Sequence, residues 1–144
     1  MIRIFSVLIL FISNSFADIQ IRKQNDLFCY DGDTCYVIYE GKKDKVRLLD
    51  LDTPEISNPK CEKEYILAIE AREHINQLIS EGKKIEFETE YNRDFFGRIL
   101  SYIIIDGENV SKLMVSHSLG VVYDKNNKKD LSLIHISEPT RLIG

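Results

Sequence analysis

Cys35-Tyr-Val-Ile-Tyr39-Glu40-Gly41-Lys42-Lys43 is the stretch that decides the fold, because it indicates a strand that ends in a hairpin turn. Residues 35–39 are rich in β-branched and aromatic side chains, and the polar residues behind them include a glycine. An extended run that contains Leu27-Phe28-Cys29-Tyr30 precedes this stretch, and Lys45 to Leu51 is predicted to return as a third strand. The first part of the domain is therefore predicted to be a three-stranded antiparallel unit.

A helix and further strands follow along the chain. Small and apolar residues recur at steps of three and four from Ala68 to Ile79, which predicts a helix over Glu62 to Ile79 that Gly82 stops. Further elements are predicted as strands over Lys84–Glu90 and Ile99–Ile105 and as a short helix over Val110–Ser118. This order predicts an α+β domain. We expect a five-stranded antiparallel OB-like barrel with a helix after strand 3 and a short helix after strand 5.

Three polar segments lie at the ends of the predicted strands: Asp31-Gly-Asp33-Thr34, Arg47-Leu-Leu-Asp-Leu-Asp52-Thr53-Pro54-Glu55 and Asp94-Phe-Phe-Gly97-Arg98. Each alone is explained by local structure, because Asp-Gly-Asp is usual in turns and Thr-Pro-Glu at the start of helices. Together they supply carboxylates that suit a hard cation, one further carboxylate that can act as a base, and two guanidinium groups. Hydrolysis of a phosphodiester needs this combination.

In this order the segments resemble the staphylococcal nuclease (thermonuclease) family, across roughly Leu27 to Tyr123. The resemblance implies a Ca²⁺-dependent nuclease that hydrolyses both DNA and RNA. It also implies that the carboxylates of Asp33 and Asp52 and the backbone carbonyl of Thr53 bind the Ca²⁺ ion. Oxygen donors in this small number leave room for waters and a substrate phosphate, as Ca²⁺ requires.

The resemblance further assigns Glu55 as the general base and the side chains of Arg47 and Arg98 as phosphate ligands. Phe96 stands where the family typically has a tyrosine, so one hydroxyl that points to phosphate is absent. Tyr123 is the residue that remains for stacking on a nucleotide. We therefore expect Phe96 and Tyr123 to contact substrate, with altered affinity rather than lost chemistry.

Two neighbouring acids and the cysteines are less specific. Asp31 and Asp50 are interpreted as turn and surface residues. Cys29, Cys35 and Cys61 allow one disulfide and one remaining thiol, and their spacing leaves the pairing open. The cysteines and histidines are not spaced as zinc ligands.

Both ends of the chain are predicted to lie outside the domain. Residues 1–17 have a positive start, an apolar stretch and Ser15-Phe16-Ala17 as a cleavage site, as in a signal peptide. The apolar stretch is shorter than a membrane span, so we expect cleavage, no stable membrane association and a secreted or periplasmic location. Residues 131–144 resemble a translated sequencing adapter and are expected to be a non-native tail. Residues 18–130 are then a C-terminally truncated thermonuclease-like domain, expected to be a monomer.

Two other functions remain compatible with the sequence. One is a catalytically inactive OB-fold module that binds single-stranded nucleic acid, and the other is an exported Ca²⁺-binding protein without a nucleic-acid role. The net charge of −4 at pH 7 gives no long-range attraction to nucleic acid, which counts against pure binding. A protein that only binds Ca²⁺ would leave the two arginines without a role.

Overall fold

The structure is a computed structural model that describes residues 26–123. The predicted signal peptide and the predicted non-native tail both lie outside the described residues. Within this range the chain forms β1 (Leu27–Cys29), β2 (Thr34–Tyr39), β3 (Lys42–Leu48), α1 (Glu62–Glu81), β4 (Ile85–Arg93), β5 (Ile99–Ile105), β6 (Glu108–Asn109) and α2 (Val110–Ser116). Neither helix in this part of the chain is long and apolar enough to cross a lipid bilayer.

The strands form one mixed sheet in the order β1-β2-β3-β5-β4, with β6 added on β5. The pairs β1/β2, β2/β3, β4/β5 and β5/β6 are antiparallel, whereas β3 and β5 are parallel, with Arg47 opposite Leu100. The prediction of a wholly antiparallel sheet is therefore wrong. The chain between β3 and β5 contains α1 and β4, and a connection of this length lets a strand return in the same direction as its neighbour.

The α+β class is confirmed, and α1 follows β3 as expected. The short helix does not follow β5 directly, because the turn at Asp106-Gly107 first forms a hairpin to β6. Such a turn is typical of hairpins, and both of its residues have the positive φ that it requires. The mixed sheet with two helices is consistent with an OB-like fold, and the closure of a barrel stays a prediction.

The core lies between the inner face of the sheet and one face of α1. Ala68, Ala71, Ile75 and Ile79 are buried on α1, which confirms the predicted helix, although it continues to Glu81. Phe87, Ile103 and Val46 fill the sheet side of the core, and Met114 of α2 closes it. Full burial of each large apolar side chain contributes about 1.5–3 kcal/mol, so this core fixes the framework that carries the polar segments.

Two glycines allow the acidic segments to approach one another closely. A Cβ atom on Gly32 would lie 2.7 Å from Thr53 Cγ2, and one on Gly120 would lie 2.6 Å from Leu51 Cδ1. Asp52 also forms an isolated antiparallel bridge with Val121, in which each N–H donates to the other carbonyl at 2.9 Å. The segment around Asp52 is therefore held between the turn of Gly32 and the chain that leaves α2.

A disulfide joins Cys29 to Cys35, which face each other directly across β1 and β2. The bond closes the turn that contains Asp31 and Asp33, and it resolves the pairing that the sequence left open. Cys61, the remaining cysteine, is free and exposed.

We predict that replacing both Cys29 and Cys35 by serine lowers the free energy of unfolding by about 2 kcal/mol, the loop-closure entropy of a ring this short. Urea titration with and without a reducing agent measures the effect. Cys61→Ser is the matched control and should change stability by less than about 0.5 kcal/mol. Equal stability of the double variant and the oxidised parent would show that the bond does not hold the turn.

Candidate active site

The turn between β1 and β2 buries two carboxylates. Asp31 Oδ1 accepts hydrogen bonds from the backbone N–H groups of Asp33, at 3.2 Å, and of Thr34, at 2.7 Å. Burial, followed by the negative charge of Asp33, raises the pKa of Asp31 to about 7, and Glu55 contributes in the same direction. Asp31 lies in a turn, as the sequence indicated, but its interpretation as a surface residue is wrong, because the turn packs closely on Thr53 at Gly32 and Asp31 is buried.

Asp33 connects this turn to the segment that follows β3. Its Oδ2 accepts a hydrogen bond from the backbone N–H of Thr53 at 2.9 Å, and its Oδ1 accepts one from Thr34 Oγ1 at 3.0 Å. Its backbone carbonyl accepts from the N–H of Leu48 at 2.9 Å. Asp33 is therefore fixed by residues of two separate segments, and its carboxylate cannot rotate freely.

Arg47 joins the two carboxylates that were predicted to bind metal. Its Nη1 lies 3.0 Å from Asp33 Oδ1, and its Nη2 lies 3.2 Å from Asp52 Oδ1. Nη1 also donates to the carbonyl of Leu51 at 2.8 Å. Since 14% of the Arg47 side chain is exposed, and less than a tenth of either carboxylate side chain, the ion pairs are poorly screened by solvent.

The site carries more negative than positive charge. Asp33 and Asp52 are buried around the guanidinium of Arg47, Asp31 is buried close to Asp33, and Glu55 is close enough to raise the pKa of Asp31. Burial of several carboxylates around a single cation is costly unless further positive charge is present. The excess is a reason to expect a cation at this position.

A second arginine approaches the site from the turn between β4 and β5. Arg98 Nε pairs with Asp94 Oδ2 at 2.6 Å, and Arg98 Nη1 donates to Thr34 Oγ1 at 3.3 Å. Burial acts to raise the pKa of Asp94, but hydrogen bonds from the backbone and side chain of Arg98 outweigh it, so the pKa is lowered. Asp94 stays ionised and orients Arg98 towards the Thr34 hydroxyl, which also donates to Asp33.

The turn that presents Arg98 depends on a glycine. Gly97 has a φ of +77° and donates its N–H to the carbonyl of Asp94 at 3.0 Å. Asp94 Oδ1 in turn accepts from the N–H groups of Phe96, at 3.0 Å, and of Arg98, at 2.8 Å. A side chain with a Cβ atom would strain this turn.

The remaining predicted residues are Glu55 and two aromatic residues whose rings lie beside the arginines. Glu55 is exposed directly after the buried Pro54. The ring of Tyr123 is centred 5.9 Å from Arg47 Cζ, and the ring of Phe96, which is 77% exposed, is centred 5.3 Å from Arg98 Cζ. The predicted site residues thus come from four separate segments and surround one acidic cluster.

The donor set fits a hard divalent cation. Asp33 and Asp52 offer carboxylate oxygens that converge on the guanidinium of Arg47. Thr53, which follows Asp52 directly, is buried. The Thr53 hydroxyl is buried without a hydrogen-bond partner. In residues 26–123 no group of three or more His, Cys, Asp or Glu residues is arranged to hold a metal. Two carboxylates with waters and a phosphate still suit Ca²⁺, which accepts such ligands in flexible geometry.

Sequence reasoning missed Thr34. Its hydroxyl lies between Asp33 and Arg98, and its backbone N–H donates to Asp31, so it links the segment that carries Arg98 to the acidic turn. The signal in the sequence was its place directly after Asp31-Gly-Asp33, where a threonine can bond back to the turn.

The comparison with known proteins agrees with this geometry. Residues 45–139 match the family model described as staphylococcal nuclease homologue. The chain belongs to this family. The match includes Arg47, Asp52, Glu55 and Arg98 and continues past residue 130, and the origin of residues 131–144 stays a prediction.

Three relatives are named as endonucleases. Endonuclease YncB of Bacillus subtilis (strain 168) is 40% identical over 103 residues, 68% of this chain and 48% of that protein. The SPbeta prophage-derived endonuclease YokF of the same strain is 37% identical over 103 residues, 68% of this chain and 34% of that protein. An uncharacterized endonuclease of Escherichia coli is 32% identical over 98 residues, 67% of this chain and 58% of that protein. The matched part of the chain therefore covers between about a third and three fifths of the length of these relatives.

We predict that Arg47→Met in this nuclease-family chain lowers the free energy of unfolding by about 3 kcal/mol in metal-free buffer, because it leaves buried carboxylates without their cation. Urea titration in the presence of a chelator measures the change. Arg72→Met is the control. The Arg72 guanidinium lies 3.9 Å from the carboxylate of Glu73, a side chain that is about two-thirds exposed, so loss of this ion pair should lower the free energy of unfolding by less than about 0.5 kcal/mol. Similar effects of the two substitutions would contradict a central role for Arg47 in the cluster.

Proposed function

We propose that this chain is an exported, Ca²⁺-dependent endonuclease that hydrolyses phosphodiester bonds in DNA and RNA by attack of water. The observation that carries the proposal is the position of Arg47 between Asp33 and Asp52, with Arg98 reaching the same cluster through Thr34. Two arginines beside an excess of buried carboxylates suit a phosphate that arrives together with a cation. The endonuclease names of the relatives support the reaction class.

The residues that would hold the cation are the carboxylates of Asp33 and Asp52 and the backbone carbonyl of Thr53. Bound Ca²⁺ supplies charge that stabilises the phosphate in the transition state. The hydrogen bond from the N–H of Thr53 to Asp33 keeps the two metal-binding segments in register. The chain thus preorganises the carboxylates before substrate arrives.

Glu55 serves as the general base. It is exposed, lies three residues after Asp52, and follows Pro54, whose ring restricts the backbone. A carboxylate in this position can accept a proton from the attacking water. The proton of the attacking water is accepted by a carboxylate oxygen of Glu55.

Arg47 and Arg98 bind the charge that develops on the phosphate oxygens as water attacks. Both are guanidinium groups, which can donate two hydrogen bonds to one phosphate. The ion pair with Asp94 fixes the direction of Arg98, so little reorganisation is needed when substrate binds. Tyr123 and Phe96 present exposed rings beside these arginines and are proposed to contact the nucleotides on each side.

Export is part of the proposal. The signal-like residues 1–17 support it, and so does the disulfide between Cys29 and Cys35, since such bonds persist in oxidising compartments. The mature domain, residues 18–130, is proposed to act as a monomer in the periplasm or outside the cell, without stable membrane association.

Plasmid degradation with Ca²⁺ and with a chelator, compared between the parent and Glu55→Gln, tests the function. We expect cleavage by the parent only with Ca²⁺, and a decrease in kcat of about 10²-fold or more for Glu55→Gln, as for loss of a general base. Glu108→Gln, an exposed change on β6, is the control and should match the parent. Near-normal turnover by folded Glu55→Gln would remove Glu55 from the mechanism, and binding without any cleavage by the parent would favour an inactive binding module.

A further inference from the structure

The outer face of β1, β2 and β3 carries aromatic side chains that the proposed chemistry does not use. Phe28 is 56% exposed and Tyr30 is 39% exposed, although Cys29, which lies between them along the chain, is fully buried. The ring of Tyr30 packs on that of Tyr36, with centroids 5.6 Å apart. Large exposed rings on a sheet surface often mark a binding surface.

Two lysines lie against the same aromatic group. Lys43 Nζ is 4.0 Å and Lys45 Nζ 5.7 Å from the centre of the Tyr36 ring. The register explains the arrangement, since Phe28 faces Tyr36 across β1 and β2, and Tyr36 faces Lys45 across β2 and β3. We call Phe28, Tyr30, Tyr36, Lys43 and Lys45 the aromatic-lysine strip.

The aromatic-lysine strip is continuous with the candidate active site. Side chains two residues apart on a strand share one face, so Thr34 lies on the same face as Tyr36, and Arg47 on the same face as Lys45. Thr34 and Arg47 face each other in the register of β2 and β3, and both are part of the acidic cluster. The N–H of Tyr30 donates to the carbonyl of Thr34 at 3.2 Å, so the strip begins where the site ends.

The phenol of Tyr30 is itself within the field of the site. Burial and the charge of Asp31 raise its pKa, while Thr34 and Arg98 act in the opposite direction. The ring of Tyr30 therefore lies near Asp31, Thr34 and Arg98 of the candidate active site.

We propose that the aromatic-lysine strip binds the single-stranded part of the nucleic-acid substrate that flanks the scissile phosphate. This rests on the proposed nuclease function. The bases stack on Phe28 and Tyr30, and the phosphates pair with Lys43 and Lys45, which Tyr36 holds beside the rings. Aromatic platforms beside basic side chains are the usual means of holding a single strand without reading its sequence.

The chemistry of the strip favours this occupant over a second protein chain or a lipid surface. The lysines give positive charge in a chain whose net charge is −4, so the attraction is local and directed along the strip. The strip ends at the arginines that are proposed to bind the scissile phosphate. A strand bound in the site can therefore continue along this surface, whereas a protein partner would not need such continuity.

The test compares two substrates that share the scissile bond but differ in length. One is a fluorescein-labelled oligo(dT) of about 12 nucleotides, within the site sizes known for OB-type domains, and the other is a dinucleotide. For Phe28→Ala/Lys43→Gln/Lys45→Gln we expect KM for the oligonucleotide to rise about tenfold or more, since stacking contributes about 1–3 kcal/mol per base. Turnover of the dinucleotide should stay within about twofold, because the substituted residues lie outside the catalytic set.

Binding is measured in parallel by fluorescence anisotropy with the chelator present, so that no cleavage occurs. The slope of log Kd against log salt should fall by about 1.4 when two phosphate contacts are lost from a single strand. Tyr65→Ala/Lys63→Gln is the control, because both residues belong to α1 and not to the strip, and the exposed fraction of Tyr65, 44%, is similar to that of Tyr30. If Phe28→Ala weakens the fold, the double variant Lys43→Gln/Lys45→Gln still measures the contribution of the two lysines to KM and Kd.

The outcomes separate this inference from the function on which it rests. Unchanged KM and anisotropy in both strip variants, with the dinucleotide still hydrolysed, would overturn the inference and leave the nuclease intact. Failure of the parent to hydrolyse either substrate would overturn the nuclease function. The anisotropy data would then test single-strand binding by the strip on their own. Weaker binding by the variants would support that binding, and binding equal to the parent would reject it.

Discussion

The ion pairs of Arg47 with Asp33 and Asp52 are the interaction on which the rest of the site depends. Asp31 is buried beside this cluster, and its pKa, raised by burial and by the charge of Asp33, reflects the cost of the excess negative charge. A buried carboxylate is stable only with a partner. The same imbalance that makes the folded cluster costly makes it a suitable place for a divalent cation, so the constraint on folding and the proposed function have one physical origin.

The framework around this cluster is assembled from distant parts of the chain. The disulfide between Cys29 and Cys35 closes the turn of Asp33, the bridge to Val121 holds Asp52, and the turn of Asp94 directs Arg98. Each device is local and rigid. Together they hold the arginines and carboxylates in place before substrate binds, which is the condition under which electrostatic stabilisation is most effective.

Local signals in the sequence were sufficient for α1, for β5 and for the position of the three polar segments at the ends of strands, because periodicity and turn chemistry depend on neighbours along the chain. The parallel pairing of β3 with β5 could not be predicted in this way, since it depends on where α1 and β4 carry the chain. The burial of Asp31 depends on Thr53 and Ala71, the nearest neighbours of Gly32, and the bridging position of Thr34 depends on Arg98. All three are contacts between segments far apart in sequence.

The most direct measurement of the central claim is the free energy of unfolding as a function of Ca²⁺ concentration, for the parent and for Asp52→Asn. A cation that binds only the folded cluster stabilises it by RT ln(1 + [Ca²⁺]/Kd), about 2.7 kcal/mol at a hundred times Kd. We expect this rise in the parent and its loss in Asp52→Asn, with Asp50→Asn, an exposed carboxylate nearby, behaving as the parent. A parent whose stability does not respond to Ca²⁺, or an Asp52→Asn variant that is stabilised equally, would contradict the account.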